Sequence, residues 1–330
     1  MMMIATGGTI SARARHRRDW RDYQTGFFKA ADLVAQVPEL AEVAEIATMD
    51  LANFSSADLT PAHWLRLRDL TYKYLEEEGY DGVVITHGTS TMEETAYFLH
   101  LTVPSRKPVV LVGAQRPLET LGSDAAVNIL HGVQVAAAGE SAGRGVLVVM
   151  DAAIHSAREV RKADTYRLDA MDSGRAGVLG HIDVDGTVQY DRSPERPHTV
   201  GSEFAGFSLI PPGTGELPRV GIVFSCPGAD GVVVDALVGA GYQGIVVAGM
   251  GAGILSGAEE QALRRAAEQG LVVVRSSRTG GGRVLPVERY ADAPFVVGDD
   301  LSPQKARVLL ILALAAGKEP AAIQEVFDTY

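Results

Sequence analysis

The chain has 330 residues, more than one hydrophobic core comfortably organises and enough for two domains. Apolar residues make up 46% and charged residues 22%, an ordinary globular composition that excludes a disordered chain. The formal net charge of −11 argues against nucleic acid or an anionic membrane as partner.

Met1–Ala5 reads as a first strand; it lacks the basic start and the length of a signal peptide, so a cytoplasmic protein is expected. Thr6-Gly7-Gly8-Thr9-Ile10 follows directly. Paired glycines let the backbone turn sharply and approach a ligand closely. A hydroxyl at the end of a parallel strand lies where open α/β sheets bind ligands. A phosphate-binding turn looks similar, but the spacing is neither the dinucleotide nor the Walker glycine pattern. The next segment opposes the overall charge, with Arg13, Arg15, Arg17, Arg18 and Arg21 inside nine residues, alongside Trp20. Thr60-Pro61 before His63–Glu78 reads as a helix start, threonine capping and proline in the first turn.

Gly82–Thr86 is a buried strand that runs into His87-Gly88-Thr89-Ser90-Thr91 and then a helical pattern over Thr91–Leu101. Ser90 or Thr91 is placed to cap that helix, with Glu93 and Glu94 in its first turn. The competing use of the same turn is an anion or oxyanion site made by the helix N-terminus and Thr89. His87 is expected to make a structural hydrogen bond, since the eight histidines show no metal spacing. Strands at Val109–Val112 and Gly145–Met150 flank a helix at Asp124–Ala138. Lys162, within Arg158–Asp164, reads by itself as a solvated surface residue.

Composition shifts at Phe207–Pro218, where Pro211-Pro212-Gly213-Thr214-Gly215 has a linker signature and sets a domain boundary near residue 212. A fresh series follows, with strands at Val220–Phe224, Gly244–Ala248 and Leu271–Val274 and helices at Gly257–Gln269 and Pro303–Ala316. Continuous apolar runs suit strands buried on both faces of a parallel sheet, and their alternation with helices implies βαβ units. The longest apolar stretches, such as Val308–Ala316, are far short of a membrane span. The single cysteine, Cys226, rules out an intrachain disulfide and is expected to be buried and inert.

Thr6–Ile10, the run from Asp81 to Leu101, Pro108–Pro117, Gly145–Met150 and Gln304–Leu310 resemble the bacterial L-asparaginase family, and the similarity runs through nearly the whole chain. The resemblance implies a two-domain α/β protein. A larger N-terminal domain with a mixed, largely parallel sheet (1–206) would carry the catalytic groups. A linker (207–218) would lead to a smaller parallel α/β domain (219–330) that completes the neighbouring subunit's site in a homotetramer of intimate dimers. It implies no metal and no cofactor. By the same resemblance Thr9 matches the nucleophile, Tyr23 the lid tyrosine that bonds it, and Thr89 and Lys162 two members of a Thr-Lys-Asp relay. A threonine hydroxyl is a poor nucleophile without a nearby base, and a lysine brought towards neutral pKa by burial can serve. An acyl-enzyme then forms, ammonia leaves, and water releases the acid.

The sequence departs from the family on one side of the pocket. Ser90 stands where the relay aspartate also holds the substrate ammonium, and Ala57 stands where a glutamine follows the pocket serine, Ser56. Gly249–Leu255 contains no asparagine for the neighbouring subunit's contribution, and Glu288 is the one candidate for its glutamate. The carboxylate side (Ser56, Gly88, Thr89) is kept and the ammonium side largely erased. The expected ligand is therefore a small anionic amide without a free α-ammonium. A lost charged partner in a desolvated site costs roughly 2–5 kcal/mol, so L-asparagine becomes a poor substrate. The competing readings are an ordinary L-asparaginase, a hydrolase of cyclic amides on the same fold, and a non-catalytic carboxylate-binding protein. The arginine-rich segment falls between Thr9 and Tyr23, in the lid. It is either a solvated mobile loop or a receptor for an extra anionic group, with Trp20 covering an apolar part.

Overall fold

The computed structural model describes residues 1–206, 208–211 and 215–330. The chain forms two compact units, Met1–Gly206 and Phe207–Tyr330. Phe207 and Pro212–Thr214, within the expected linker, lie outside the described residues.

Among the described residues, the first unit is built in chain order from β1 (Met2–Gly7), β2 (Arg13–Ala14), β3 (Tyr23–Gln24), α1 (Ala30–Ala35), β4 (Ala47–Phe54), α2 (Pro61–Tyr72), β5 (Val83–Thr86), α3 (Met92–Thr102), β6 (Val109–Val112), α4 (Ala125–Ala137), β7 (Val146–Met150), β8 (Ala153–Ser156), β9 (Arg161–Lys162), β10 (Met171–Asp172), β11 (Gly180–Ile182) and β12 (Val188–Tyr190). Its sheet has eight strands in the order β12-β11-β8-β7-β6-β5-β1-β4. The strands from β4 to β7 across this order pair in parallel, and β8, β11 and β12 extend the sheet antiparallel.

Strands β5, β6 and β7 are buried along their whole length, the consequence of continuous Val/Ile/Leu runs covered on both faces. One core cluster joins Met3, Val84, Val110, Val112, Leu147 and Val149 of the sheet to Leu33 of α1 and to Ile129 and Val133 of α4. The chain runs from β1 outward to β4 and then returns past β1 to β5, so the sheet order reverses around β1. In open sheets the crevice beyond the carboxyl ends of strands at such a reversal is the usual ligand position.

Three local expectations need correction. The helix expected to run to Glu78 is α-helical only to Tyr72 and continues as a π turn over Lys73–Glu77, beyond which the chain turns at Gly79 with φ +78°. Its start is held by His63, whose Nδ1 accepts the Thr60 N–H at 3.1 Å. The N-terminus of α3 carries no side-chain cap; the Thr91 hydroxyl instead donates to the Ser56 carbonyl at 3.0 Å, because β4 ends beside it. Cys226 is exposed rather than buried, since it follows the edge strand of the second sheet.

The second unit contains β13 (Val220–Phe224), α5 (Val232–Gly239), β14 (Gly244–Gly249), α6 (Gly257–Glu268), β15 (Val272–Ser277), β16 (Phe295–Val297), α7 (Pro303–Ala315) and α8 (Pro320–Thr329). Its four strands pair in parallel in sequential order. Helix α6 is capped by Ser256, whose hydroxyl accepts the Glu259 N–H at 3.1 Å. The apolar run of α7 is buried almost throughout.

Candidate active site

Strand β1 ends at Gly7 and Gly8 follows it, two glycines that no other residue can replace without movement. Gly7 has φ +105° and Gly8 has φ +86°, conformations that L side chains avoid. A Cβ on Gly7 would sit 2.3 Å from the Phe54 carbonyl oxygen at the end of β4, and one on Gly8 would sit 2.3 Å from the Gly88 Cα in the turn after β5. A Cβ on Gly88 would in turn fall 2.6 Å from the Ser56 hydroxyl oxygen. The turns that follow β1, β4 and β5, which carry Thr9, Ser56 and Thr89, are therefore in close contact with one another.

Thr9 opens a 3-10 turn, and its hydroxyl lies 2.9 Å from the Tyr23 hydroxyl. Tyr23 is carried by a short antiparallel hairpin in which it faces Ala14. The return leg is pinned where it passes β4: Asn53 donates from its side-chain amide to the Gly26 carbonyl at 2.8 Å, and a Cβ on Gly26 would overlap the Asn53 carbonyl at 1.9 Å. Ser11 links both parts, its hydroxyl 3.1 Å from the Gly8 carbonyl and 3.3 Å from Asn53 Oδ1.

In the second turn, Lys162 donates from Nζ to the buried Thr89 hydroxyl at 2.7 Å. The lysine is positioned by its own backbone, whose N–H donates to Glu93 Oε2 at 2.6 Å, and by the pairing of β9 with β10. Burial pushes the Lys162 ammonium below its ordinary pKa, with the half-buried Asp164 carboxylate opposing the shift. Thr89 packs its methyl group against Gly113 after β6, where a Cβ would fall 2.9 Å away. His87 is fully buried and donates from Nδ1 to the Gly88 carbonyl at 2.8 Å. Burial holds the imidazole pKa down at about 4, so it is neutral near pH 7.

The structure thus brings together Thr9 with Tyr23, Thr89 with Lys162, and Ser56 with Gly88. It does not bring Ser90 or Ala57 into these networks. Ser90 and Ala57 are exposed, and the Ser90 hydroxyl makes no hydrogen bond among the described residues. Glu288 belongs to the second unit, exposed on a 3-10 turn over Glu288–Tyr290. Glu93, which the sequence presents only as a first-turn acid of α3, joins the Thr89–Lys162 pair through the Lys162 N–H. Its partner lies 69 positions away, and no local spacing signals that contact. Among the described residues no cluster of three or more His, Cys, Asp or Glu side chains is placed to hold a metal ion.

Two family models match the chain: asparaginase, N-terminal, over residues 1–196, and glutaminase/asparaginase C-terminal domain over residues 219–327. The chain is 38% identical over 328 residues to L-asparaginase 2 of Bacillus subtilis (strain 168), covering 99% of this chain and 86% of that protein. It is 41% identical over 330 residues to the probable periplasmic L-asparaginase of Haemophilus influenzae, covering 99% and 92%. A crystal structure of a probable cytoplasmic L-asparaginase from Campylobacter jejuni superposes with a TM-score of 0.94 at 38% identity, covering 100% of this chain and 99% of that one.

Proposed function

The chain belongs to the asparaginase family of amidohydrolases, and on that premise we propose that it hydrolyses the side-chain amide of a small carboxylate through a threonine nucleophile. The carrying observation is that two threonine hydroxyls, each with its own polar partner, stand on turns whose backbones touch at Gly8 and Gly88. Thr9 attacks the amide carbon, and Tyr23 holds its hydroxyl. Neutral Lys162 draws the displaced proton through Thr89; burial makes its neutral form accessible below the usual lysine range. The C–N bond breaks and the proton leaves with ammonia. Water, relieved of a proton by the same pair, attacks the Thr9 ester carbon; the C–O bond to Thr9 breaks, its oxygen takes that proton back, and the acid leaves. Ser56 and the amides of the Gly88 turn, at the N-terminal end of α3, receive the substrate carboxylate.

We assign L-asparagine the role of a poor substrate. The support is that Ser90 and Ala57 offer no charge at positions where the family binds the substrate ammonium, and that the nearby Glu93 is engaged with the Lys162 backbone. Ammonia release from L-asparagine, succinamate and N-acetyl-L-asparagine tests this. The expected order favours the two amides without a free α-ammonium, and faster turnover of L-asparagine at lower KM than either refutes it. Thr9→Ala tests the nucleophile and should lower kcat at least about 10³-fold with the fold intact. Retained turnover there removes the mechanism.

The family resemblance supports residues 1–206 as the catalytic domain, 219–330 as the domain that completes a neighbouring subunit's site, and a homotetramer. Light scattering after gel filtration decides the last point. Among the described residues no helix is long and apolar enough to cross a membrane. The likeness to the Campylobacter jejuni protein supports a cytoplasmic location, which cell fractionation tests.

A further inference from the structure

The arginines between Thr9 and Tyr23 are not spread evenly over a solvated loop. A cavity of about 660 Å³ opens against the hairpin, lined by Arg13, Ala14, Arg15, Arg21, Asp22, Tyr23 and Gln24. Three arginines and a single acidic residue line it, on a chain whose formal net charge is −11. Tyr23 is common to the cavity and to the Thr9 hydrogen bond at 2.9 Å, so the basic wall adjoins the proposed nucleophile.

The hairpin is held in place from the neighbouring loop after β6. Arg13 pairs with Glu119 at 3.6 Å and lies over the Phe27 ring, Arg116 stacks on Trp20 at 4.5 Å, and the Leu121 N–H donates to the Arg17 carbonyl at 2.8 Å. Trp20 is therefore occupied as an anchor. Arg15 and Arg21 have no guanidinium hydrogen bond or ion pair among the described residues. Arg15 feels Asp19, but that carboxylate accepts the backbone N–H groups of Arg21 and Asp22 at 3.3 and 3.0 Å.

The geometry points to a second anion-binding subsite formed by Arg15 and Arg21, which selects amide substrates bearing an additional carboxylate or phosphate beyond the one received at Ser56 and Gly88. This deepens and rests on the proposed amide hydrolysis. An arginine fork matches the paired oxygens of either anion, and a cavity of this size exceeds what a single amino-acid amide fills.

The test compares N-succinyl-L-asparagine with N-acetyl-L-asparagine, which differ by one remote carboxylate, and N-acetyl-phosphoseryl-asparagine with its unphosphorylated form. Wild type should prefer the more anionic member of at least one pair about tenfold in kcat/KM, mostly through KM. The pair that shows the preference identifies the anion. That ratio should fall towards one in Arg15→Ala/Arg21→Ala and shrink as salt is added. A wild-type ratio near one for both pairs, or a ratio unchanged in the double variant, overturns the subsite while leaving amide hydrolysis intact. If no amide is hydrolysed, the function proposal fails separately. Calorimetric Kd values for N-succinyl-L-aspartate and N-acetyl-L-aspartate, with phosphoseryl-aspartate analogues, then decide the subsite by the same ratios.

Discussion

His87 has no exposed surface, gives its Nδ1–H to the Gly88 carbonyl, and has no partner for Nε2 among the described residues. Protonating it would place a cation and a second, unsatisfied N–H inside the protein, which is why burial lowers its pKa from 6.5 to about 4. The sign follows from linkage. The unfolded chain takes up the proton near pH 6.5, the folded one only near 4. Stability is therefore level above the unfolded value, falls as pH drops between the two, and is level again below the lower one. The span of the shift, at about 1.4 kcal/mol per pH unit, is worth about 3 kcal/mol. Both tryptophans, Trp20 and Trp64, lie in the first unit, so urea unfolding followed by tryptophan fluorescence reports on the unit that holds His87. His87→Asn keeps an N–H donor for Gly88 and removes the titration. The variant should be the less stable near pH 7, and the gap from wild type should narrow by about 3 kcal/mol as pH falls to about 4. A gap constant across that range would falsify the reasoning.

Three further outcomes are expected. With Lys162 lowered by burial, kcat should rise with pH through a midpoint below the ordinary lysine value of 10.5. Lys162→Arg, which stays charged, should lose that rising limb and about 100-fold in kcat; a limb that survives assigns the base elsewhere. The same depression means the charged lysine is disfavoured in the folded state, so its contribution to stability improves as pH rises through the folded value. Gly8→Ala should cost about 3 kcal/mol or more, read as a lowered Tm, because its Cβ meets Gly88 Cα at 2.3 Å from a backbone at φ +86°. Ser90→Asp should raise the ratio of kcat/KM for L-asparagine over succinamate about tenfold, a figure discounted for the exposure of position 90. An unchanged ratio there counts against that position as the lost ammonium contact.

The strands Val109–Val112 and Val220–Phe224 were legible residue for residue, and α3, α4, α6 and α7 to within one residue at each end, since their apolar periodicity is a local property of the chain. Elements whose burial depends on distant neighbours were not legible. Strand β4 lies at the sheet edge with mixed exposure, and β8 to β12 are short additions held by antiparallel pairing. At the site, each motif announced itself singly: two glycines before Thr9, a hydroxyl-rich turn around Thr89. What joins them did not. Thr89 and Lys162 are 73 positions apart, and Lys162 alone resembles any surface lysine. Its position against Thr89 comes from the β9–β10 pairing and from Glu93, and the contact of Gly8 with Gly88 comes from the strand order that sets β1 beside β5. Hydrophobic pattern and turn chemistry act over a few residues and can be read in order along the chain. Partners for buried polar groups are chosen by sheet order and register, and these exist only once the chain has folded.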